Sequence, residues 1–306
     1  MNKRTGMILV TVALAGSLLA CNLPFSGSES TPTPDLTLTA LFAPTGVPTF
    51  LPTGTSMAVP PTPTTVPTNT PTNTPLPTAT SPATPLPSRP GPSTNAYFLT
   101  KLPILNGDWG DWKSESVEYP VKSIVYGKSN WSGSKDLQGS YMLGWDYTYL
   151  YVGVKVIDDK FVQQATGANM YKGDSVEILL DANLQGDYTA HTLNGDDYQL
   201  GISPGQGVDK ITTSGETFMW EPSSIAGSRP QVAVSSTGGS GLYRIEAAIP
   251  WAIFGITPQP GMKIGFVLSI NDNDDTSANI EQSMASSDAY RVRTDPTTWG
   301  IVTLAR

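Results

Sequence analysis

From about residue 96 onward, the sequence predicts an all-β domain, an antiparallel β-sandwich of jelly-roll-like form. Short runs in which apolar and polar residues alternate recur along this region, as in half-buried strands. Glycine and proline are frequent in the intervals between the runs, and no stretch keeps a sustained helical period. Many short strands joined by such turns are typical of sandwiches and barrels.

The clearest predicted strand covers residues 149–157, where the even positions from Leu150 to Val156 are aliphatic and the odd positions are mixed. One helical turn is predicted at 251–254, directly after Pro250. The glycine-rich string SSTGGSGL at 235–242 predicts a hairpin turn. Further alternating runs predict strands at 175–180, 198–202, 231–234, 243–249, 264–270 and 300–304.

The N-terminus has the pattern of an export signal. Lys3 and Arg4 precede an apolar run at residues 7–20, which ends in Leu-Leu-Ala-Cys at Cys21. This pattern resembles the lipobox of bacterial lipoproteins. The resemblance implies that residues 1–20 are a signal peptide and that Cys21 is lipidated. We therefore expect the protein to be attached to the cell membrane by a lipid anchor only, on the extracytoplasmic side.

Residues 21–95 differ in composition from the rest of the chain. Of the 27 prolines in the sequence, 18 lie between residues 22 and 95, and threonine fills most of the gaps between them. Proline removes amide donors and favours extended geometry, so this segment is predicted to be a disordered stalk without a core of its own. The predicted sandwich domain then covers residues 96–306.

Charge and cysteine content exclude several classes of protein. The formal net charge is −8, which disfavours nucleic acids and anionic lipid headgroups as partners. Cys21 is the only cysteine, so after its lipidation no disulfide, cysteine nucleophile or cysteine metal site is available. Neutral substrates and cations remain compatible with such a surface.

Five strings occur in the order known from one family of β-sandwich domains. They are LNGDWGDW at 105–112, WDYTYLYVGVKVIDD at 145–159, GDSVEILLD at 173–181, YRIEAAIPWAIFG with GFVLSINDND at 243–274, and DPTTWGIVTL at 295–304. Together they resemble family 9 carbohydrate-binding modules over essentially the whole domain. The resemblance implies a non-catalytic β-sandwich that binds poly- or oligosaccharide, commonly in proteins that degrade polysaccharide.

The same resemblance implies a set of contact residues. Tyr171 occupies the position of an aromatic that stacks on a terminal sugar, and Glu177 matches a hydrogen-bonding glutamate. Arg293 stands where a second aromatic is expected and Tyr290 where an amide is expected. Gly201 falls where the family has an arginine, so part of the site is altered.

Two further residues complete the predicted carbohydrate site. Trp220, in the loop-like string FMWEP, is a candidate stacking platform because it lies outside the family motifs, as does Trp131. Asn271 is predicted to bond to sugar hydroxyls. Four other tryptophans lie within the motifs and are predicted to be core residues: Trp112, Trp145, Trp251 and Trp299.

Clustered aspartates suggest structural calcium, although the domain is expected to require no cofactor for binding. Asp158, Asp159 and Asp181 are the candidate ligands, since carboxylate oxygens are what Ca²⁺ prefers. No EF-hand spacing accompanies them, so solvated acidic loops are the competing interpretation. The resemblance implies calcium.

Three alternative functions stay open at this point. His191 is the sole histidine and no nucleophile motif accompanies it, which leaves a glycoside hydrolase with little support. Related sandwiches hold haem, for which His191, Met170, Met219 and Met284 are the candidate ligands. A structural surface domain with a degenerate sugar site is the third. The sequence favours a monomeric, non-catalytic carbohydrate-binding domain.

Overall fold

A computed structural model of the chain describes residues 88–306. The predicted signal peptide, Cys21 and nearly all of the predicted stalk lie outside the described residues. Within 88–306, none of the helices is long and apolar enough to cross a membrane.

The described residues form fifteen strands and five short 3₁₀ helices. The helices span Trp109–Asp111, Lys113–Glu115, Gly167–Lys172, Trp251–Phe254 and Pro296–Thr298. The strands are β1 (Ser93–Phe98), β2 (Tyr119–Val121), β3 (Ser123–Tyr126), β4 (Leu137–Trp145), β5 (Tyr149–Asp158), β6 (Val162–Gln163), β7 (Ser175–Asp181), β8 (Asp197–Ser203), β9 (Gly207–Val208), β10 (Glu216–Glu221), β11 (Ala233–Gly239), β12 (Leu242–Pro250), β13 (Lys263–Asp272), β14 (Ser283–Ser286) and β15 (Gly300–Ala305).

The predicted β-sandwich is confirmed. One continuous path of hydrogen-bonded strands runs β10-β8-β7-β13-β15-β1-β4-β5-β12-β11, and β14 and β3 extend it beyond β13. Strands β7 and β5 are five steps apart on this path. Their aliphatic side chains nevertheless share one core, with Ile178 and Leu180 from β7 and Val152 and Val154 from β5. The path therefore folds over into two layers that enclose this core.

Strand β1 departs from the predicted antiparallel arrangement. It runs parallel to β15 on one side and to β4 on the other. It also begins at Ser93, three residues before the predicted start of the domain. The predicted start of the domain follows the proline content of the sequence. Strand β1 starts directly after Pro92, where the backbone again has the N–H donors that pairing with neighbouring strands requires.

The four tryptophans predicted for the core are buried, each at 2% exposure or less. Trp112 donates from Nε1 to Oε1 of Glu246 at 2.7 Å, and the other oxygen of Glu246 accepts the amides of Asn106 and Gly107. This fully buried carboxylate thus fixes the LNGDWGDW segment against β12. The periodicity gave no sign of this role, because Glu246 lies within an apolar run.

Six of the predicted strands and the helical turn at Trp251–Phe254 are present, whereas the strand predicted at 231–234 overlaps β11 only at Ala233 and Val234. Strand β4 was not predicted because Gly139, Ser140 and Gly144 interrupt its apolar pattern. Most of the string SSTGGSGL belongs to β11 rather than to a turn. The reversal falls at Ser240 and Gly241, and Gly241 takes the positive φ of 86° that this tight reversal requires.

Candidate functional site

A cavity of about 540 Å³ opens on the face of the sheet that points away from the core. Its floor comes from neighbouring strands: Glu177 on β7 lies opposite Gly201 on β8 and opposite Ser269 on β13. On β7 the odd positions point to this face, while Val176, Ile178 and Leu180 point into the core. The alternation of β7 therefore delivers Glu177 to the cavity.

Two aromatic rings form one wall of the cavity. Tyr171, on the 3₁₀ helix Gly167–Lys172, meets Trp220 of β10 edge to face, with ring centroids 6.3 Å apart and an interplanar angle of 75°. Trp220 also donates from Nε1 to the carbonyl of Ala168 at 3.2 Å, which fixes the indole against this helix. Both side chains are half-buried. They present apolar ring surface beside the polar floor.

Gly201 makes room for the Trp220 ring. A Cβ at this position would lie 2.5 Å from two ring carbons of Trp220 and 2.7 Å from the sulfur of Met170, closer than real Cβ contacts. Here the glycine at the position of the family's arginine is a packing requirement for an aromatic wall. The absence of a side chain at Gly201 thus allows the indole ring of Trp220 to form this wall of the cavity.

A hydrogen-bonded chain of polar groups crosses the floor. Arg291 donates from Nη2 to Oε1 of Glu177, and their side chains are 9% and 5% exposed. Gln199 donates to Oε2 of Glu177 at 2.9 Å and accepts from Nη1 of Arg293 at 3.3 Å. A buried carboxylate, an amide and two guanidinium groups are thereby held side by side. Such fixed donors and acceptors can bind hydroxyl groups of a ligand.

The loop that carries both arginines is fixed from below. The buried Trp299 donates from Nε1 to the carbonyl of Val292 at 2.9 Å, and the amide of Val292 donates to Oγ1 of Thr298. Val292 lies between Arg291 and Arg293 in the sequence. These bonds therefore fix the backbone from which both arginine side chains extend to the floor of the cavity. The DPTTW string, conspicuous in the sequence, has this positioning role.

Glu281 is one of three carboxyl groups that line the cavity, with Glu177 and Glu221. Burial, together with the negative charge of Glu177, raises the pKa of Glu281 to about 7, although the positive charge of Arg291 acts in the opposite direction. Its ordinary pKa is 4.5. Between these two values the folded protein holds a proton on Glu281 that the unfolded chain releases.

We expect stability to fall as the pH rises from about 4.5 to 7, because ionised Glu281 must then be buried beside Glu177. Glu281→Gln should flatten this part of the profile and be more stable than the wild type at pH 8 by about 2 kcal/mol, after allowing for partial solvent exposure. Urea unfolding at pH 5 and pH 8 measures both values. Equal pH slopes for the two proteins would contradict the assignment.

The structure brings four predicted carbohydrate-binding residues to one cavity: Tyr171, Glu177, Trp220 and Arg293. Tyr290 does not line it and is 64% exposed. Asn271 lies on the same sheet face as Glu177 but is covered, at 1% exposure, and donates to Oγ of Ser175. Trp131 packs on the core and donates to the carbonyl of Leu137.

Sequence reasoning missed other residues that line the cavity: Val125, Tyr126, Gln199, Glu221, Glu281 and Arg291, together with Met284, which was considered only as a haem ligand. Strand register could have found Gln199, which is two residues before Gly201 on the same face of β8. The others come from β3, β10, β14 and two loops. Their positions follow from long-range pairing, for which the sequence carries no local signal.

Asp158 and Asp159 lie in a dense carboxylate cluster at one end of the sheet. Carboxylate oxygens of Asp158, Asp174 and Asp272 lie within 4.8 Å of one another, and the adjoining groups add Asp136, Asp159 and Asp274. Oδ2 of Asp158 and Oδ1 of Asp272 are buried without a hydrogen-bond partner in the described residues. Burial raises the pKa of Asp158 to about 7 and that of Asp272 to about 8.

This donor set fits calcium. It offers only hard oxygen ligands, several of them buried and unpaired, and Lys160 is bound to the carbonyl of Asp274 rather than to a carboxylate. Asp174, which was not among the predicted ligands, is fully buried at the centre of the cluster. A divalent cation here would compensate charges that burial otherwise penalises.

Asp181 belongs to a different cluster from Asp158 and Asp159. It groups with Asp187 and Asp196, and Arg89 lies 3.4 Å from its Oδ2. Asp181 ends β7 whereas Asp174 precedes the strand, so the two clusters lie at opposite ends of β7. The predicted ligand set is therefore divided between two places.

The candidate haem ligands are not brought together. His191 contacts Asp295 and Thr297 and lines a small separate cavity, whereas Met284 lines the large one. Met170 and Met219 are fully buried. The described residues thus offer no histidine and methionine pair in a shared pocket.

Comparisons with known proteins agree with this architecture. Endo-1,4-beta-xylanase A of Thermoanaerobacterium saccharolyticum is 29% identical over 143 residues, which are 47% of this chain and 11% of that enzyme. Endo-1,4-beta-xylanase A of Thermotoga maritima is 25% identical over 207 residues, 67% of this chain and 17% of the enzyme. The chain therefore spans less than a fifth of the length of either relative.

Two solved structures share the fold. A carbohydrate-binding module of family 9 from Caldicellulosiruptor kristjanssonii, in complex with cellotriose, superimposes with a TM-score of 0.51 and 20% identity, covering 71% of this chain and 94% of the module. Its complex with glucose gives the same TM-score at 19% identity, covering 70% of this chain and 95% of the module. The sequence profile of the family described as "Carbohydrate family 9 binding domain-like" matches residues 109–306. The chain thus belongs to the carbohydrate family 9 binding domain-like family.

Proposed function

We propose that this domain binds poly- or oligosaccharide without catalysing its breakdown, through the cavity described above. The observation that carries the proposal is the juxtaposition of the Tyr171 and Trp220 rings with the polar floor around Glu177. The face of a pyranose ring is apolar and its edge carries hydroxyl groups, so such a ligand needs both kinds of surface at once.

The polar groups of the cavity support binding rather than hydrolysis. Glu177 is held by Arg291 and Gln199, so its oxygens are engaged in fixing the floor. Glycosidases place a general acid and a second carboxylate on opposite sides of the scissile bond. The relatives named as xylanases are much longer than this chain, and their catalytic function is not carried over to it.

Substituting Tyr171 by alanine tests the proposed site. A glycan array with the purified protein identifies the sugar, and titration calorimetry then compares the wild type with Tyr171→Ala. We expect a loss of at least about 1 kcal/mol in binding free energy, since one ring contact is removed. Tyr147→Ala, which removes a tyrosine ring outside the cavity, is the control. Unchanged affinity in Tyr171→Ala would place the sugar elsewhere, and an array without any bound glycan would favour a purely structural domain.

Calcium has a structural role in this proposal. The carboxylates of Asp158, Asp174 and Asp272 are its proposed ligands, with Asp136, Asp159 and Asp274 around them. The support is the burial of neighbouring carboxyl groups, with one oxygen each of Asp158 and Asp272 left without a partner among the described residues. The ion would supply the positive charge that lets these groups remain ionised in the folded domain.

We place the domain at the cell surface, carried by a lipid anchor at Cys21 and the stalk that follows it. The support is the sequence pattern at residues 3–21. Labelling of the protein with a radioactive fatty acid should be lost in Cys21→Ser, which should also release the protein from the membrane fraction. Labelling that persists in this variant would contradict the anchor.

A further inference from the structure

The cavity extends well beyond the Tyr171 and Trp220 wall. Its opposite end is formed by Val125 and Tyr126 of β3, with Met284 of β14 beside them. Tyr126 is 53% exposed, and its ring packs on no other aromatic ring in the described part of the chain. A large ring that is more than half exposed and lines a cavity can contact a ligand there.

Strand register places Tyr126 on the same sheet face as Glu177. Directly paired residues point to the same side, and Tyr126 pairs with Met284, Met284 with Asn271, and Asn271 with Ser175. Ser175 precedes Glu177 by two residues on β7, so both project from one face. The two aromatic ends of the cavity are therefore platforms on one continuous surface.

The separation of these platforms exceeds one sugar ring. Trp220 lies over Gly201 on β8, and the path from β8 through β7, β13 and β14 to β3 has four steps. At about 4.8 Å per step, the platforms are on the order of 19 Å apart along the sheet. Glu177 on β7, to which Arg291 is bonded, lies between them on this path, and Gln199 lies beside the Trp220 platform on β8. The layout is a groove across the strands, with a stacking surface at each end and hydrogen-bonding groups in the middle.

From this layout we infer that the groove binds a stretch of several consecutive sugars in a linear, uncharged polysaccharide, with Tyr126 as its second stacking platform. The inference rests on the proposed carbohydrate function and specifies its ligand. An uncharged chain fits because the cavity carries both signs of charge, with Arg291 and Arg293 beside three glutamates, and Arg291 is already paired with Glu177. A single sugar would reach only the Tyr171 and Trp220 end.

Titration calorimetry with two series of defined length, glucose to cellohexaose and xylose to xylohexaose, tests the inference. Affinity in one series should rise at least tenfold between the monosaccharide and the tetrasaccharide, because the second platform is then reached. Tyr126→Ala should remove most of that gain, about tenfold in Kd, and leave monosaccharide affinity unchanged. Tyr147→Ala, at 54% exposure and outside the groove, should behave as the wild type.

The outcomes separate this inference from the proposed function. Equal affinity for short and long sugars, or a chain-length gain that persists in Tyr126→Ala, overturns the extended groove and leaves the Tyr171 site standing. Absence of binding to either series at any length overturns both. Chemical reduction of the reducing end of the tetrasaccharide should not weaken binding, and a loss of more than tenfold would show that a chain end is recognised instead.

Discussion

Calcium is expected to raise the thermal unfolding midpoint of the protein by about 5 to 10 °C relative to the same protein in a chelator. The cluster around Asp158, Asp174 and Asp272 buries three carboxyl groups side by side, and one oxygen each of Asp158 and Asp272 has no partner among the described residues, so the protein without calcium carries an electrostatic penalty. An ion present at a hundred times its Kd stabilises the folded state by about 2.7 kcal/mol. For a domain of this size each kcal/mol corresponds to about 2 to 4 °C.

Calorimetry with and without chelator measures this shift. Asp272→Asn should abolish most of the calcium response. It should also be more stable than the wild type in chelator, because Asp272, whose pKa is raised to about 8, must take up a proton to be buried whereas asparagine is neutral already. The control is Asp275→Asn, whose carboxylate bonds Ser277 and belongs to none of the carboxylate groups. A midpoint that is independent of calcium would exclude a structural ion at this cluster.

Breaking the Glu177 and Arg291 pair from one side should cost about 3 to 5 kcal/mol of stability. Both side chains are almost completely buried, so Glu177→Leu leaves a guanidinium group buried without its counter-charge. The double variant Glu177→Leu with Arg291→Met removes both charges and should recover most of the lost stability. It should bind no sugar, since the hydrogen-bonding floor has been replaced by apolar groups.

Chemical unfolding of the single and double variants gives the coupling energy, and titration with the sugar gives the functional effect. The matched control is Glu118→Gln at the Lys155 pair, whose side chains are 31% and 32% exposed. That change should cost less than about 1 kcal/mol. If the double variant binds sugar as well as the wild type, Glu177 acts only in folding. If the double variant is as unstable as the single variant, the unpaired buried charge is not the cause of the lost stability.

The sequence predicted those features that depend on local pattern. Alternation gave β5, β7, β12 and β13, and the family motifs drew attention to Tyr171 and Glu177. It could not give the parallel placement of β1, since two distant segments must pair before that strand has neighbours. Composition alone predicts that the domain starts at residue 96, three residues after β1 begins.

The residues in and around the cavity show the same limit of prediction from local sequence pattern. The sequence predicts a lost contact at Gly201, whereas in the structure the missing side chain leaves the space into which Trp220 packs. Asn271 is predicted to bond to sugar hydroxyls, but it is buried between its neighbours Ser175 and Met284 on the adjoining strands. Arg291 and Tyr126 reach the cavity through a loop and an edge strand. Which of such residues share a surface is decided by the register of strands that are far apart in sequence.

The position of β1 bears on how the domain withstands mechanical load. The chain enters the domain at Arg89, which is buried against Asp181 and bonds the carbonyls of Pro296 and Tyr188, and it then continues into β1. Strand β1 pairs along most of its length with β15 and at its end with β4, so tension along the strand loads its hydrogen bonds with β15 in shear, together instead of one after another. A domain held at its ligand and pulled from its N-terminus would therefore resist the force first through this parallel pair.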